Sequence, residues 1–129
     1  MIIYLPYLVT CFALILYMGV TWYVGKMRSR HKITAPATVG CEEFERAFRV
    51  QQNTLEQMIV FLPSMWMFSI LISPFWGADI GLVWVLARLL YAIGYCRHTP
   101  ERMPGFLIGM LANAILLLGS LGAVVKQIM

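Results

Sequence analysis

Four long apolar segments limit what this chain can fold into more than any other feature of its sequence. Segments 1–25, 57–78 and 103–125 carry no charged residue, and segment 80–96 carries only Arg88. A helix needs about 20 apolar residues to cross the hydrocarbon core of a bilayer. Charged residues make up 12% of the 129 residues, whereas they make up about a quarter of a typical soluble domain. The sequence therefore predicts an all-α membrane protein, built as a bundle of four transmembrane helices.

Basic residues are distributed unevenly around these segments. We place a single transmembrane domain at residues 1–129, with membrane spans at approximately 2–25, 44–72, 78–97 and 103–126. Basic residues flank the first and third connections, whereas the turn at 73–79 has none. Since cytoplasmic loops carry an excess of Lys and Arg, these two connections are expected to face the cytoplasm. A multi-pass protein of either the endoplasmic reticulum or a bacterial inner membrane fits this bias.

Nucleic acids and metal ions are not expected partners. The net charge of +4 follows from the same asymmetry across the membrane, and no aromatic-rich soluble surface accompanies the basic residues. The three cysteines, Cys11, Cys41 and Cys96, lack the spacing of metal ligands. We interpret them as unpaired thiols.

The start of the second span carries a stripe of polar side chains. Spacings of three, four and three residues put four of them on one helix face, at Arg46, Arg49, Asn53 and Glu56. Interfacial ion pairs, which contribute little, are one explanation. However, a carboxylate at the start of an apolar run is costly without a partner. The residues alone leave a structural and a functional role open.

Polar groups of the third span and the loop after it are expected at a similar depth. We centre the turn between the second and third spans near Trp76. Antiparallel mirror positions about that residue then put Tyr95 level with Glu56. The same construction puts Arg102 near Arg49. Guanidinium groups, an amide, phenolic hydroxyls and one carboxylate suit a small zwitterionic ligand with a net negative charge.

Arg88 and Asn113 lie within apolar segments. The mirror construction puts Arg88 near Ser64, about 12 Å deeper than Glu56, so we do not pair those two charges. Hydrogen bonds to hydroxyls or carbonyls inside the bundle are the favoured interpretation of Arg88. A small transporter that uses Arg88 is an alternative, but the spans lack the paired Gly or Pro interruptions typical of transporters. We interpret Asn113 as a hydrogen-bonding contact between helices.

Three motifs give the chain a family resemblance. EFERAFRVQQNTLE, ARLLYAIGY and ERMPGF resemble the membrane-associated proteins in eicosanoid and glutathione metabolism, the MAPEG family. Within it, they are most similar to the branch of type-two microsomal glutathione transferases and leukotriene C4 synthases. The resemblance runs from about Gly25 to Gly109. It implies a four-helix bundle that assembles as a homotrimer, with one glutathione at each subunit interface on the cytoplasmic side.

The resemblance also implies a function and a set of site residues. It implies a membrane-bound transferase that activates the thiol of its co-substrate glutathione, for conjugation to hydrophobic electrophiles or for reduction of lipid hydroperoxides. Arg102 matches the arginine held to stabilise the glutathione thiolate. Glutathione contacts are implied at Arg28, Arg49, Gln51, Asn53, Glu56, Tyr91 and Tyr95. The alternative is a non-enzymatic, lipid-binding member of the same family, a branch that lacks the arginines matched by Arg49 and Arg102.

The second helix departs from the family pattern in two places. Gln57 stands where relatives often carry an aromatic residue. The proline usually found three residues after the glutamate is absent, and Pro63 comes later. These departures bear on the bend of the second helix and on the shape of the lipid-facing groove.

Overall fold

Four long helices and short connections make up the fold. The structure is a computed structural model that describes the backbone of residues 1–129 and every side chain except that of Thr99. The helices are α1 (Leu5–His31), α2 (Glu42–Leu71), α3 (Pro74–Arg97) and α4 (Met103–Ile128). Short 3₁₀ turns at Ile2–Tyr4 and Thr99–Arg102 precede α1 and α4. The predicted all-α, four-helix architecture is confirmed.

Each of these helices is long and apolar enough to cross a membrane. At about 1.5 Å per residue, even α3 with its 24 residues is longer than a hydrocarbon core of about 30 Å. Helix ends therefore extend beyond the core. The polar start of α2 is one such end. Its first turn includes three acidic residues, whose negative charges interact favourably with the positive end of the helix dipole.

The first connection is shorter than the sequence predicts. We expected loop structure over 26–41, but α1 continues to His31. Buried Val24 and Met27 of this last part of α1 pack against buried Phe44 of α2. Basic side chains in the final turn also favour the negative end of the helix dipole. Packing and charge thus extend a helix through residues that resemble a loop in composition.

Helix α3 begins four residues before the predicted span. The Ser73 hydroxyl accepts a hydrogen bond from the backbone N–H of Trp76 at 3.4 Å, and Pro74 occupies the first turn. A side-chain cap followed by proline is a strong helix start. The turn between α2 and α3 is therefore tight and lies earlier than expected.

This early start corrects the relative depth of residues on α2 and α3. Gly77 lies against Ser69 and Gly81 lies against Met65, so the mirror positions are centred near residue 73 rather than Trp76. Each α3 residue then faces an α2 position about six residues, or roughly 9 Å, nearer the amino end of α2 than predicted. The prediction that Tyr95 lies level with Glu56 is wrong by this amount, and so is the depth predicted for Arg88.

All four helices contribute to the main core. Phe61 of α2 stacks on Trp84 of α3 with ring centroids 3.9 Å apart. Ala13 of α1 and Leu116 of α4 are fully buried in the same cluster. This core fixes the positions of the four helices relative to one another. It thereby sets where polar side chains of α2 and α3 meet.

A polar contact joins α2 to α4 beside the core. Asn113 donates a hydrogen bond from its amide nitrogen to Gln57 Oε1 at 2.9 Å. Gln57 in turn donates to the sulfur of Met110 at 3.2 Å. The predicted interhelical role of Asn113 is confirmed. Pro63 lies inside α2, which continues to Leu71.

Candidate functional site

A polar cavity opens where α2, α3 and the start of α4 meet. Its volume is about 240 Å³. Four of the predicted site residues and two apolar ones line it: Arg49, Asn53, Tyr91, Arg102, Met103 and Phe106. The structure thus brings together side chains that are separated by more than fifty residues along the chain.

Two tyrosines one turn apart on α3 support one side of this site. Tyr91 and Tyr95 are 3% and 9% exposed, and their ring centroids are 5.6 Å apart. The guanidinium carbon of Arg102 lies 5.0 Å from the ring centroid of Tyr95, a favourable arrangement of a cation over an aromatic face. None of the ion pairs among the described side chains involves Arg102. Its positive charge is therefore held in place by an aromatic ring rather than neutralised by a carboxylate.

The polar stripe of α2 is internally connected. Arg49 Nη1 lies 3.8 Å from Glu56 Oε1, and each side chain is 56% exposed. Asn53 Nδ2 donates a hydrogen bond to Glu56 Oε2 at 3.4 Å. The carboxylate at the start of the apolar run therefore has the two partners that its position requires.

A second cavity lies beside the first, next to the connection between α1 and α2. Its volume is about 360 Å³. It shares Arg49 with the first cavity, and its remaining lining includes Thr38, Glu42, Arg46 and Tyr95. The combined volume of the two cavities falls within the range of roughly 300–1,000 Å³ that is usual for small-molecule sites.

The structure does not bring Arg28 or Gln51 to these cavities. Arg28 Nη1 donates to the carbonyl oxygen of Ala37 at 2.6 Å, which ties it to the connection between α1 and α2. Gln51 donates to Thr21 Oγ1 of α1 at 3.1 Å. About 200° of helix rotation separates Gln51 from Arg49, so the two side chains lie on opposite faces of α2. Both residues remain predicted glutathione contacts.

Two apolar residues of the cavity were not among the residues predicted from the sequence. Met103 and Phe106 line it beside Arg102, and Met103 is 45% exposed. Phe106 lies four residues after Arg102, which is the spacing of neighbours on one helix face. That spacing could have indicated from the sequence that Phe106 lies beside Arg102. The structure shows that the cavity has an apolar side as well as a charged one.

Arg88 is placed by the structure directly beneath the polar cavity. Its Nη2 donates to Thr54 Oγ1 and to Asn53 Oδ1, both at 3.0 Å. The interpretation that it hydrogen-bonds to a hydroxyl and a carbonyl inside the bundle is confirmed. Its predicted separation from the polar stripe was wrong, because α3 begins earlier than expected and the long side chain reaches toward the start of α2.

The assembled side chains favour an anionic ligand. Arg49 and Arg102 line the cavity, Arg88 lies beneath it, and Glu56 is the carboxylate connected to the stripe. Guanidinium groups bind carboxylates with two parallel hydrogen bonds. The Glu56 carboxylate offers a position for an ammonium group. The site can therefore bind a small zwitterion with excess negative charge next to an apolar surface.

Comparisons with known proteins agree with this architecture. The model of the MAPEG family matches residues 6–122. The chain is 44% identical over 123 residues to an uncharacterized protein of Synechocystis sp., covering 95% of this chain and 90% of that protein. It is 40% identical over 100 residues to human microsomal glutathione S-transferase 2, covering 77% and 68%. It is 33% identical over 95 residues to leukotriene C4 synthase of Cavia porcellus, covering 74% and 63%.

Proposed function

Because the chain belongs to the MAPEG family, we propose that this integral membrane protein is a glutathione transferase. In this proposal, it activates the thiol of glutathione and transfers the sulfur to hydrophobic electrophiles, reduces lipid hydroperoxides with it, or does both. The observation that carries the proposal is the cavity in which Arg49, Asn53, Tyr91 and Arg102 meet. Relatives that are named as glutathione transferases support the choice of thiol.

Glutathione fits the charges of the site. At neutral pH it carries two carboxylates and one ammonium group, so its net charge is negative. Arg49 is suited to bind a carboxylate, Glu56 to accept a hydrogen bond from the ammonium group, and Asn53 and the α3 tyrosines to bind peptide groups. These assignments use the predicted contacts that one protomer brings together.

Arg102 is proposed as the catalytic residue. A free thiol has a pKa near 8.5, and its thiolate is the nucleophile. Lowering that pKa by about two units requires roughly 2.7 kcal/mol of preferential stabilisation of the thiolate. Two unit charges about 4 Å apart interact by about 4 kcal/mol near a protein surface but by only about 1 kcal/mol in bulk water. Arg102 is partly buried, so one guanidinium beside the sulfur is sufficient.

The chemistry is then nucleophilic attack by sulfur. In conjugation, the thiol proton leaves to solvent, the thiolate forms a carbon–sulfur bond, and the leaving group departs with the bonding electrons. In peroxide reduction, the thiolate attacks one peroxide oxygen and releases an alcohol, and a second glutathione converts the resulting sulfenic acid to a disulfide and water. The apolar substrate enters from the bilayer, and its apolar body contacts Met103 and Phe106.

We also propose that the protein is a homotrimer with its active sites facing the cytoplasm. The resemblance implies one glutathione at each subunit interface. The opposite placement of Gln51 and Arg49 on α2 agrees with a site that takes residues from two subunits. Arg28 and Gln51 of one subunit would then complete the cavity of its neighbour.

The test is glutathione binding and turnover by detergent-purified protein. Calorimetry measures binding, and conjugation to an apolar aryl halide and reduction of a lipid hydroperoxide measure turnover. Arg49→Ala is expected to weaken glutathione binding at least about tenfold, since it removes a charged hydrogen-bond donor. Arg30→Ala is the matched control, because Arg30 also makes one exposed ion pair, with Glu43 at 3.5 Å, outside the cavity.

The result also separates the proposal from its alternative. Failure of folded wild-type protein to bind glutathione contradicts the proposal and favours a lipid-binding role. Binding without either reaction also favours that alternative. Equal losses of binding in Arg49→Ala and Arg30→Ala would show that the cavity is not the glutathione site.

A further inference from the structure

Arg88 is a buried cation that supports the cavity without lining it. It is 1% exposed, and the residues that line the cavity do not include it. Its guanidinium carbon lies 4.0 Å from the ring centroid of Tyr91, which holds the group in place by a cation–π contact. A ligand in the cavity would therefore not touch Arg88. Any effect of Arg88 on that ligand acts through a residue between them.

Asn53 is that residue. Arginine only donates hydrogen bonds, and an ionised carboxylate only accepts them. Asn53 lies between one group of each kind, because its Oδ1 accepts from Arg88 at 3.0 Å and its Nδ2 donates to Glu56 at 3.4 Å. If the amide rotated by half a turn, its nitrogen would face the donor Arg88 and its oxygen would face the acceptor Glu56. Neither pair could then form a hydrogen bond. Arg88 thus fixes the orientation of the Asn53 amide.

A purely structural link between α2 and α3 does not account for this arrangement. Removing a charge from water costs several kcal/mol even after the protein relaxes, and apolar residues of similar volume often stabilise as well or better. Arg88 also donates a hydrogen bond to Thr54, which lies on α2 next to Asn53, at 3.0 Å. The Thr54 hydroxyl could accept from a neutral donor. Of the two contacts, only the one with Asn53 reaches a residue that lines the cavity.

We propose that Arg88 is a positioning residue for glutathione binding, acting through the Asn53 amide. This inference rests on the proposed function. Arg88 holds Asn53 Oδ1, so that the amide nitrogen stays directed toward Glu56 and the polar stripe. Glutathione then meets a donor of fixed orientation beside a carboxylate. Without Arg88, the amide keeps only its 3.4 Å hydrogen bond to Glu56, and binding the peptide must restore the orientation that Arg88 held.

The test is a comparison of glutathione dissociation constants by calorimetry in detergent. Arg88→Met is expected to raise Kd about tenfold, equivalent to about 1.4 kcal/mol. Arg88→Lys retains a donor and the charge and is expected to lose less than half of that free energy. Thr54→Val is the matched control, because it removes the other hydrogen bond from the same Nη2 and is expected to change Kd less than about twofold.

A double-mutant cycle with Asn53→Ala separates positioning from general damage. If Arg88 acts through Asn53, Arg88→Met changes Kd less than about twofold once Asn53 is alanine. An unchanged Kd in folded Arg88→Met, or a full tenfold loss in the Asn53→Ala background, overturns the inference while wild-type binding leaves the proposed function intact. Absence of binding by wild-type protein overturns both. If Arg88→Met does not fold, the same cycle is run with Arg88→Lys, and a loss of binding that stays the same when Asn53 is alanine overturns the inference.

Discussion

Replacing Gly105 with alanine is expected to destabilise the protein and to displace Arg102. Gly105 of α4 faces the backbone of α3 so closely that an added Cβ would lie 2.5 Å from both the carbonyl oxygen of Ala87 and the backbone nitrogen of Tyr91. Ordinary contacts begin at 3.4 Å, so α4 must move by about 0.9 Å or more. The opposing atoms belong to helix backbone, and no change of side-chain rotamer can relieve the overlap.

Gly109, one turn later on the same helix, is the matched control. A Cβ there would meet its nearest neighbour, Arg88 Cδ, at 3.7 Å, which is ordinary contact. Alanine is favoured over glycine inside a helix by about 0.8–1 kcal/mol, so Gly109→Ala should be neutral or stabilising. Overpacking typically costs about 1–3 kcal/mol. We therefore expect Gly105→Ala to be less stable than Gly109→Ala by about 1–3 kcal/mol.

Two assays together test this prediction. Unfolding of the detergent-solubilised protein measures the difference in stability. Because Arg102 lies three residues before Gly105, glutathione turnover shows whether Arg102 has been displaced. A displacement of about 1 Å can reduce a catalysed rate by about 100-fold. Equal stability and equal turnover of the two variants would refute the reasoning, because the added methyl group would then have found space that the packing denies it.

Two further predictions concern the polar groups of α2. Glu56→Gln should change the free energy of unfolding by less than about 1 kcal/mol, since its ion pair with Arg49 is half exposed. The same variant should weaken glutathione binding about tenfold. Calorimetry and unfolding on one preparation check both, and a large stability loss without a binding loss would contradict the assignment. Asn113→Leu removes the 2.9 Å hydrogen bond to Gln57 and should destabilise by about 0.6–1.7 kcal/mol in unfolding assays, with a loss above about 3 kcal/mol showing a larger role than one interhelical bond.

Much of the fold could be predicted from the sequence because its causes are local. The apolar segments specify the helices, and the spacing of Arg49, Asn53 and Glu56 specifies their common face. Tertiary contacts decided what the sequence left open. The packing of Met27 on Phe44 extends α1 through residues of loop-like composition.

The depth of residues on α3 depends on a single turn. Ser73 and Pro74 start the helix, whereas apolar composition alone indicated a later start. The resulting shift of roughly 9 Å decides that Arg88 reaches Asn53. Arg28 and Gln51 are bonded to Ala37 and Thr21 of the same chain, and their predicted glutathione contacts rest on the proposed assembly.

The central claim is that Arg102 stabilises the glutathione thiolate. The most direct measurement is the absorbance of the thiolate at about 240 nm, on adding glutathione to purified wild type, Arg102→Ala and Arg97→Ala between about pH 5 and about pH 9. Arg97 is an exposed arginine outside the cavity and serves as the control. We predict a thiolate signal at neutral pH in wild type and Arg97→Ala that moves to about pH 8.5 or above in Arg102→Ala, with glutathione still bound. An unchanged signal in Arg102→Ala, or its absence in folded and active wild type, would contradict the account.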